Sequence, residues 1–332
     1  MMKITKMIKH IAAFALTAAF ALSSTLTGVQ AEAAGKAEKT GKNGSAKLSV
    51  VVTIFPPYDF ARELAGRTAD VTMLLPPGAE SHSYEPTPRD IVKIQNCDIF
   101  LYNGGESDEW VRKVLDSMDT SGMKILKFID CVEVVEEEIV EGMQDDEEHD
   151  EEHEEEHEYD EHVWTSPRNA KLIVQRIAEA LSETDPVNAD AYRKNAASYL
   201  DRLDELDGQF QAVVDGARRR TIVFGDRFPF RYFADAYGLK YFAAFPGCST
   251  ETEASAATVK FLIDRINAEK IPVVFHIELS NEKMANVIAE ATGAKVSLLH
   301  ACHNISKADF EAGKNYLGLM TANVAALKEA LR

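Results

Sequence analysis

LSVVVTIFPPYDFARELAGRTADVTMLLPPG, residues Leu48–Gly78, carries the pattern that decides the fold. Leu48–Ile54 is a run rich in β-branched residues, closed by Pro56-Pro57. Tyr58–Ala65 reads as a helix that stops at Gly66, and Ala69–Leu75 is a second strand ended by Pro76-Pro77-Gly78. Strand, helix and strand in that order specify a parallel βα unit. The alternation continues: Thr87–Gln95 is a helix, Asp98–Tyr102 a strand, Asp108–Met118 a helix and Met123–Phe128 a strand. A three-layer α/β lobe is expected.

Further along, Pro167 opens a helix to about Leu181. A longer one follows over Ala189–Gly216, where Ala189, Tyr192, Ala196, Tyr199, Leu203, Leu206 and Phe210 fall at spacings of three and four. Its length suits a rigid connector, residues 185–217, between two lobes. The second half repeats the alternation with strands at Thr221–Phe224, Tyr241–Ala244, Val273–Phe275 and Val296–Leu299. Helices are expected at Pro229–Tyr237, Ala254–Glu269, Asn281–Thr292 and Ala308–Leu331. The fold class is therefore α/β: two Rossmann-like parallel-sheet lobes, residues 47–184 and 218–332, joined by the long helix. No residue-level repeat links the halves; only the pattern recurs.

The N-terminus reads as a processing signal. Lys3, Lys6 and Lys9 precede an apolar core of twelve, Ile11–Leu22, too short to span a bilayer comfortably. Val29-Gln30-Ala31 and Ala31-Glu32-Ala33 are cleavage-like sites, so residues 1–33 are expected to be a signal peptide. Export to the periplasm or cell surface follows. No cysteine lies near the cleavage site, which argues against a lipid anchor there. Residues 34–46 read as a flexible linker. No second long apolar run follows, so the mature protein is expected to be soluble; a monomer is expected.

Four cysteines, Cys97, Cys131, Cys248 and Cys302, contain no C-x-x-C pair, which excludes a zinc ribbon. Export makes disulfides permissible. The chain has 36 basic and 54 acidic residues, a net charge of −18, which argues against nucleic acid or anionic membrane as partner.

That imbalance has one source. Residues 133–161 read EVVEEEIVEGMQDDEEHDEEHEEEHEYDE, with 18 acidic residues and no basic one. Such a tract cannot bury enough apolar surface to fold by itself, and it is expected to be a disordered loop. His149, His153 and His157 lie in it, and imidazoles among carboxylates are candidates for secondary metal capture. His153–His157 matches H-E-x-x-H, but that protease signature works on a helix packed in a core. Here Asp145–Glu158 holds no apolar residue, so the motif is set aside.

Ligands of open α/β lobes bind at the carboxyl ends of the strands. His82 lies in the loop after the second strand, His276 and His300 directly follow strands, and Asp226 follows Thr221–Phe224. His162 ends the acidic tract just before Pro167. These residues form a candidate metal site in one crevice.

PPGAESHSYEPTPRD (Pro76–Asp90) together with DEHVWTSPRNA (Asp160–Ala170) resembles the metal-binding proteins of high-affinity zinc and manganese ABC transporters. TIFPPYDFARELAG, NGGESDEW (Asn103–Trp110) and TGAKVSLLH (Thr292–His300) extend the match from about Leu48 to the C-terminus. A His-rich acidic insert before the second ligand is typical of the zinc branch. The resemblance implies two lobes joined by a long helix, one Zn2+ in the crevice and delivery to a membrane permease rather than catalysis. By position, His82 and His162 become first-lobe ligands. The last ligand falls at His300, where the family usually has Asp. Asp226 is the nearest ligand type for the third, with His276, Glu278 and His303 as alternatives in the second lobe. The resemblance also implies a disulfide between Cys248 and Cys302, each just beyond a strand end. The rival readings are a manganese or broad divalent-metal binder, a metallohydrolase with an open coordination position, and a stationary metal buffer.

Overall fold

The computed structural model describes residues 47–143, 159–249 and 253–332. The expected signal peptide, the linker and the histidines His149, His153 and His157 lie outside them. Among the described residues no helix is long and apolar enough to cross a membrane.

The first lobe is built on β1 (Leu48–Val52), β2 (Ala69–Met73), β3 (Ile99–Tyr102) and β4 (Lys124–Lys127). All pair in parallel, in the order β2-β1-β3-β4. α1 (Phe55–Ala65), α2 (Pro88–Gln95) and α3 (Glu109–Asp116) form the crossovers. Because helices cover both faces, β1 is apolar throughout its end: Val50 and Val52 enter one core, and Val51 enters another with Leu74, Ile94 and Phe100. α1 begins at Phe55 rather than at Tyr58 as expected. Pro56 and Pro57 sit in its first turn, where their missing N–H groups have no intrahelical partner to lose.

α4 (Pro167–Thr184) and α5 (Ala189–Asp215) follow. The second lobe then runs through β5 (Thr221–Val223), β6 (Arg227–Phe228), α6 (Arg231–Tyr237), β7 (Lys240–Phe242) and β8 (Phe245–Pro246). It continues with α7 (Ala256–Glu269), β9 (Val273–His276), α8 (Lys283–Thr292) and β10 (Lys295–Leu298). β5 pairs with β7 and β9 with β10, all parallel. A parallel bridge from Phe224 to Phe275 joins the two pairs. The running order is thus β7-β5-β9-β10, the same winding as the first lobe. A small parallel pair, β6 with β8, is added beside it.

The single helix expected over Ala308–Leu331 is two, α9 (Lys307–Glu311) and α10 (Tyr316–Ala330). Asn315 caps the second by accepting the Gly318 N–H at 2.9 Å, which restarts the helix in a new direction. α10 returns to the first lobe. Tyr316 packs edge-on against Phe60 of α1 at 4.9 Å, and its N–H donates to buried Asp59.

α5 presents its buried stripe to both halves. Tyr199 meets Phe60 of α1 at 5.9 Å, and Phe210 meets Phe233 of α6 at 4.9 Å.

The acidic tract departs from expectation at its flanks. Glu136 bridges Tyr159 in antiparallel register, and the Asp160 N–H donates to the Val135 carbonyl at 3.0 Å. Glu137 accepts the Gly247 N–H at 2.7 Å, and the Tyr241 hydroxyl donates to Glu138. These carboxylates are ordered because donors of the second lobe meet them, the Arg231 guanidinium also lying 3.5 Å from Glu138, a pairing that composition does not reveal. Residues 144–158 are outside the described set.

Truncating Phe210 to Ala removes the ring wedged between α5 and α6. The expected loss is about 3–5 kcal/mol, read as a lower urea midpoint; a shift within error would show that α5 is not held by that packing.

Candidate metal centre

Three loops meet at the carboxyl ends of the strands. The first, after β2, carries His82. The second, the 3-10 turn Val163–Thr165 before α4, is entered from His162. The third, after β10, carries His300 and His303. Ligand atoms of His82, His162 and His303 all lie within 4.8 Å of one another. Their rings are mutually close: His82 to His303 4.9 Å, His162 to His303 5.1 Å and His82 to His162 5.8 Å between centroids.

Backbone and side-chain hydrogen bonds hold the loops together. The Asn304 amide donates to the Pro76 and Ala79 carbonyls at 2.9 and 2.7 Å, and the Gly78 N–H donates to the Ile305 carbonyl at 2.8 Å. These bonds tie the loop of His82 to the loop of His303. The Trp164 indole donates to the Ala301 carbonyl at 2.8 Å, which ties the second loop to the third. Glu278 clamps the turn that bears His303. Its carboxylate accepts the Ala301 N–H at 2.6 Å and the His303 N–H at 2.8 Å.

Each first-lobe imidazole is oriented by a carboxylate. His162 Nδ1 lies 3.1 Å from Asp160 Oδ1, while its Nε2 is buried with no hydrogen-bond partner. A ring held by a carboxylate through one nitrogen, with the other nitrogen bare, is the usual arrangement of a metal-ligating histidine. His82 Nδ1 lies 2.8 Å from the Ser107 hydroxyl, which in turn donates to Glu161. With its one proton given to Glu161, Ser107 accepts from His82 Nδ1–H, and Nε2 is left with its lone pair. The fit here is close at two glycines. At Gly105 (φ +86°) a Cβ would lie 2.5 Å from the Glu161 carboxylate; at Gly247 one would lie 3.0 Å from the His162 ring.

The protonation states are split. Burial, with the fields of His162 and Arg227, lowers the His82 pKa to about 3. Burial and the same neighbouring imidazoles hold His303 well below its ordinary value. Both therefore stay neutral and able to ligate. Burial also opposes charge on His162, yet Asp160, with Glu161 and Glu137 beyond it, holds its pKa above the ordinary value. Burial pushes the Glu161 carboxyl up to about 7.

The other expected residues are placed differently. His300 lies outside the imidazole cluster: its Nδ1 accepts the Cys302 N–H at 3.0 Å, and its backbone N–H donates to Asn323. Asp226 uses Oδ1 on the Arg227 N–H at 2.8 Å and Oδ2 on the Ile277 N–H at 3.1 Å, a staple between the exits of β5 and β9. His276 places Nδ1 on the Ile277 carbonyl at 3.0 Å. Arg227, next to Asp226, pairs with Glu80 of the His82 loop at 3.2 Å. All four cysteines are thiols, so the implied Cys248–Cys302 bridge is not formed. Cys302 is fully buried in a left-handed turn (φ +60°), while Cys248 lies near His82 and Glu161. His303, an alternative ligand by sequence, is the third-loop imidazole that joins the cluster. The signal that favours it is the turn: five residues past the end of β10, the Ala301–His303 turn held by Glu278 is still within reach of the crevice.

A family described as zinc-uptake complex component A, periplasmic (ZnuA), matches residues 50–330. The chain is 33% identical over 289 residues to the zinc-binding lipoprotein AdcA of Streptococcus pneumoniae, covering 87% of this chain and 56% of AdcA. It thus spans little more than half of that relative's length. It is 34% identical over 322 residues to the high-affinity zinc uptake system protein ZnuA of Bacillus subtilis, covering 96% of this chain and 95% of that protein. The crystal structure of the Zn(II)-bound ZnuA-like domain of S. pneumoniae AdcA matches with a TM-score of 0.71 at 31% identity, over 86% of this chain and 99% of that domain.

Metal affinity should fall as pH drops through the raised pKa of His162, because the proton and the metal compete for the same imidazole; the slope expected for one competing proton is roughly tenfold per pH unit. In Asp160→Asn the largest of the influences that raise this pKa is gone, with only Glu161 and Glu137 left, so the decline should begin at lower pH. Affinity at pH 8 should drop about 10–100-fold through loss of the orienting carboxylate. Competition titrations against a chromophoric chelator at several pH values would check both; an unmoved onset would separate Asp160 from the titration.

Proposed function

The chain belongs to the zinc-uptake complex component A family, and on that premise we propose that it is an exported binding protein that captures Zn2+ in its crevice and passes it to an ABC permease. The ligands in this reading are His82, His162 and His303. One observation carries it: three imidazoles converge, and the Nε2 of His162 is buried without a partner. An unpaired buried nitrogen is costly unless something binds it. His303 takes the role that the resemblance gave to His300. Asp226 supports the β5–β9 loops instead of ligating.

Imidazole is a borderline donor suited to zinc, whereas manganese favours carboxylate and a higher coordination number. A triad without a carboxylate therefore favours zinc over the manganese reading. Zinc is also what the names of the relatives describe, as zinc binding for AdcA and as high-affinity zinc uptake for ZnuA. The histidines of the acidic tract, His149, His153 and His157, are proposed as a weaker accessory store.

His82→Ala, His162→Ala and His303→Ala should each weaken zinc binding by about 10–100-fold or more, while His300→Ala and Asp226→Asn should change it far less. Titration against a competing chelator on metal-stripped protein reads this directly. Wild-type affinity in His303→Ala would remove it from the site. Deleting residues 145–158 should lower total zinc bound per chain and leave the tight site in place; loss of the tight site would make the tract part of it.

A further inference from the structure

His82 belongs to two ligand groups, not one. Beside the imidazole triad, ligand atoms of His82, Glu161 and Cys248 also lie within 4.8 Å of one another. This second group is a thiol, a carboxylate and an imidazole, a donor set that suits zinc. We propose that it is a second seat for the ion, sharing His82 with the first. The inference rests on zinc being the cargo of the imidazole triad.

The surroundings of Cys248 fit this better than they fit a packing residue. A buried cysteine usually acts as a small hydrophobe. Here the thiol faces an imidazole and a carboxylate. Its backbone is set by the chain around it. Glu137 accepts the N–H groups of Gly247 and Cys248 at 2.7 and 3.4 Å, and a Cβ at Gly247 would come within 3.0 Å of the His162 ring. The loop is therefore pressed against the same histidine whose Nε2 is bare. The thiol of the apo protein is converted to a ligand by the charge of the ion, which displaces its proton to solvent.

Two dications sharing one imidazole repel strongly at this separation. The two seats are thus alternatives for a single ion. Passage between them exchanges His162 and His303 for Glu161 and Cys248 while His82 stays bound. An ion can then move through the crevice without ever losing all its protein ligands.

Cobalt(II) is the probe, since thiolate ligation gives a near-ultraviolet charge-transfer band that imidazole ligation lacks. His303→Ala weakens the first seat, so its cobalt complex should show this band more strongly per metal than wild type. Cys248→Ser should lose the band while keeping the visible d–d absorption of the imidazole seat. Zinc K-edge absorption on His303→Ala should add a sulfur neighbour at about 2.3 Å. A thiolate band absent from both wild type and His303→Ala, or one persisting in Cys248→Ser, overturns the second seat. If d–d absorption survives that outcome, the imidazole site stands; if no cobalt absorption is seen at all, both readings fail. Should Cys248→Ser not fold, the zinc edge spectrum decides alone: a shell of nitrogen and oxygen without sulfur overturns the proposal.

Discussion

The structure depends on a small set of buried hydrogen bonds between loops that are remote in sequence. Asn304 reaches the carbonyls of Pro76 and Ala79, and Trp164 reaches the carbonyl of Ala301. The Trp164 bond is buried and those of Asn304 are partly so, and leaving a buried partner unmet costs more than the bond itself contributes. The loops are therefore held in register by the penalty of separating them. His82, His162 and His303 sit on those loops, and their convergence is a consequence of this pairing. Glu278 adds the last constraint by fixing the turn from Ala301 to His303 with two backbone bonds. Rigid lobes alone would bring strand exits to one crevice; it is the polar staples that bring side chains to within coordination distance.

The charges are arranged in depth. Three imidazoles converge, and Asp160, Glu161 and Glu137 all act on one of them, His162. Two of the imidazoles are kept neutral by burial, and the third is held by its carboxylate partner. Buried carboxylates without a cation are costly, which is why burial raises the Glu161 pKa to about 7. A divalent cation reverses that balance. It supplies the charge that the carboxylates lack and accepts the lone pairs that the imidazoles hold free.

Much of this was legible in the sequence. The alternation that begins at Leu48–Gly78 gave parallel βα units because β-branched runs, prolines and glycines are local signals, and the observed strands follow it within a few residues. His82 and His162 were identified because each sits in a distinctive motif, and the structure brings them together. Less was legible in the second lobe. His300 and His303 are both near the exit of β10, and choosing between them needs the turn at Cys302, whose positive φ no sequence pattern announces. Asp226 had the right chemistry but its oxygens are spent on backbone amides, a long-range pairing. Composition predicts disorder at the flanks of the acidic tract because it counts charges and cannot count the donors that meet them. Glu137 and Glu138 are ordered by Gly247, Cys248 and Tyr241, about a hundred residues away.

Arg227 shows how one substitution of chemistry is absorbed by its neighbours. It follows the exit of β5, beside the position where a third ligand was sought, and a guanidinium cannot ligate a metal. Its charge is taken up by Glu80, both of whose oxygens it meets, and by the Ser249 carbonyl at 3.1 Å. Glu80 lies two residues before His82, so the pair links the second lobe to the loop of a first-lobe ligand. The same cation adds to the burial that lowers the His82 pKa. It thus favours the neutral imidazole that binding needs, although a cation near a dication would be unfavourable if unpaired. Because Glu80 neutralises it, what remains is mechanical: a bidentate contact between lobes at the edge of the crevice, strong enough in geometry to orient the His82 loop and exposed enough on the Glu80 side to exchange with water. In the proposed reading, the donors sought at this position come instead from His303 on the third loop and from the thiol of Cys248 on the loop against His162.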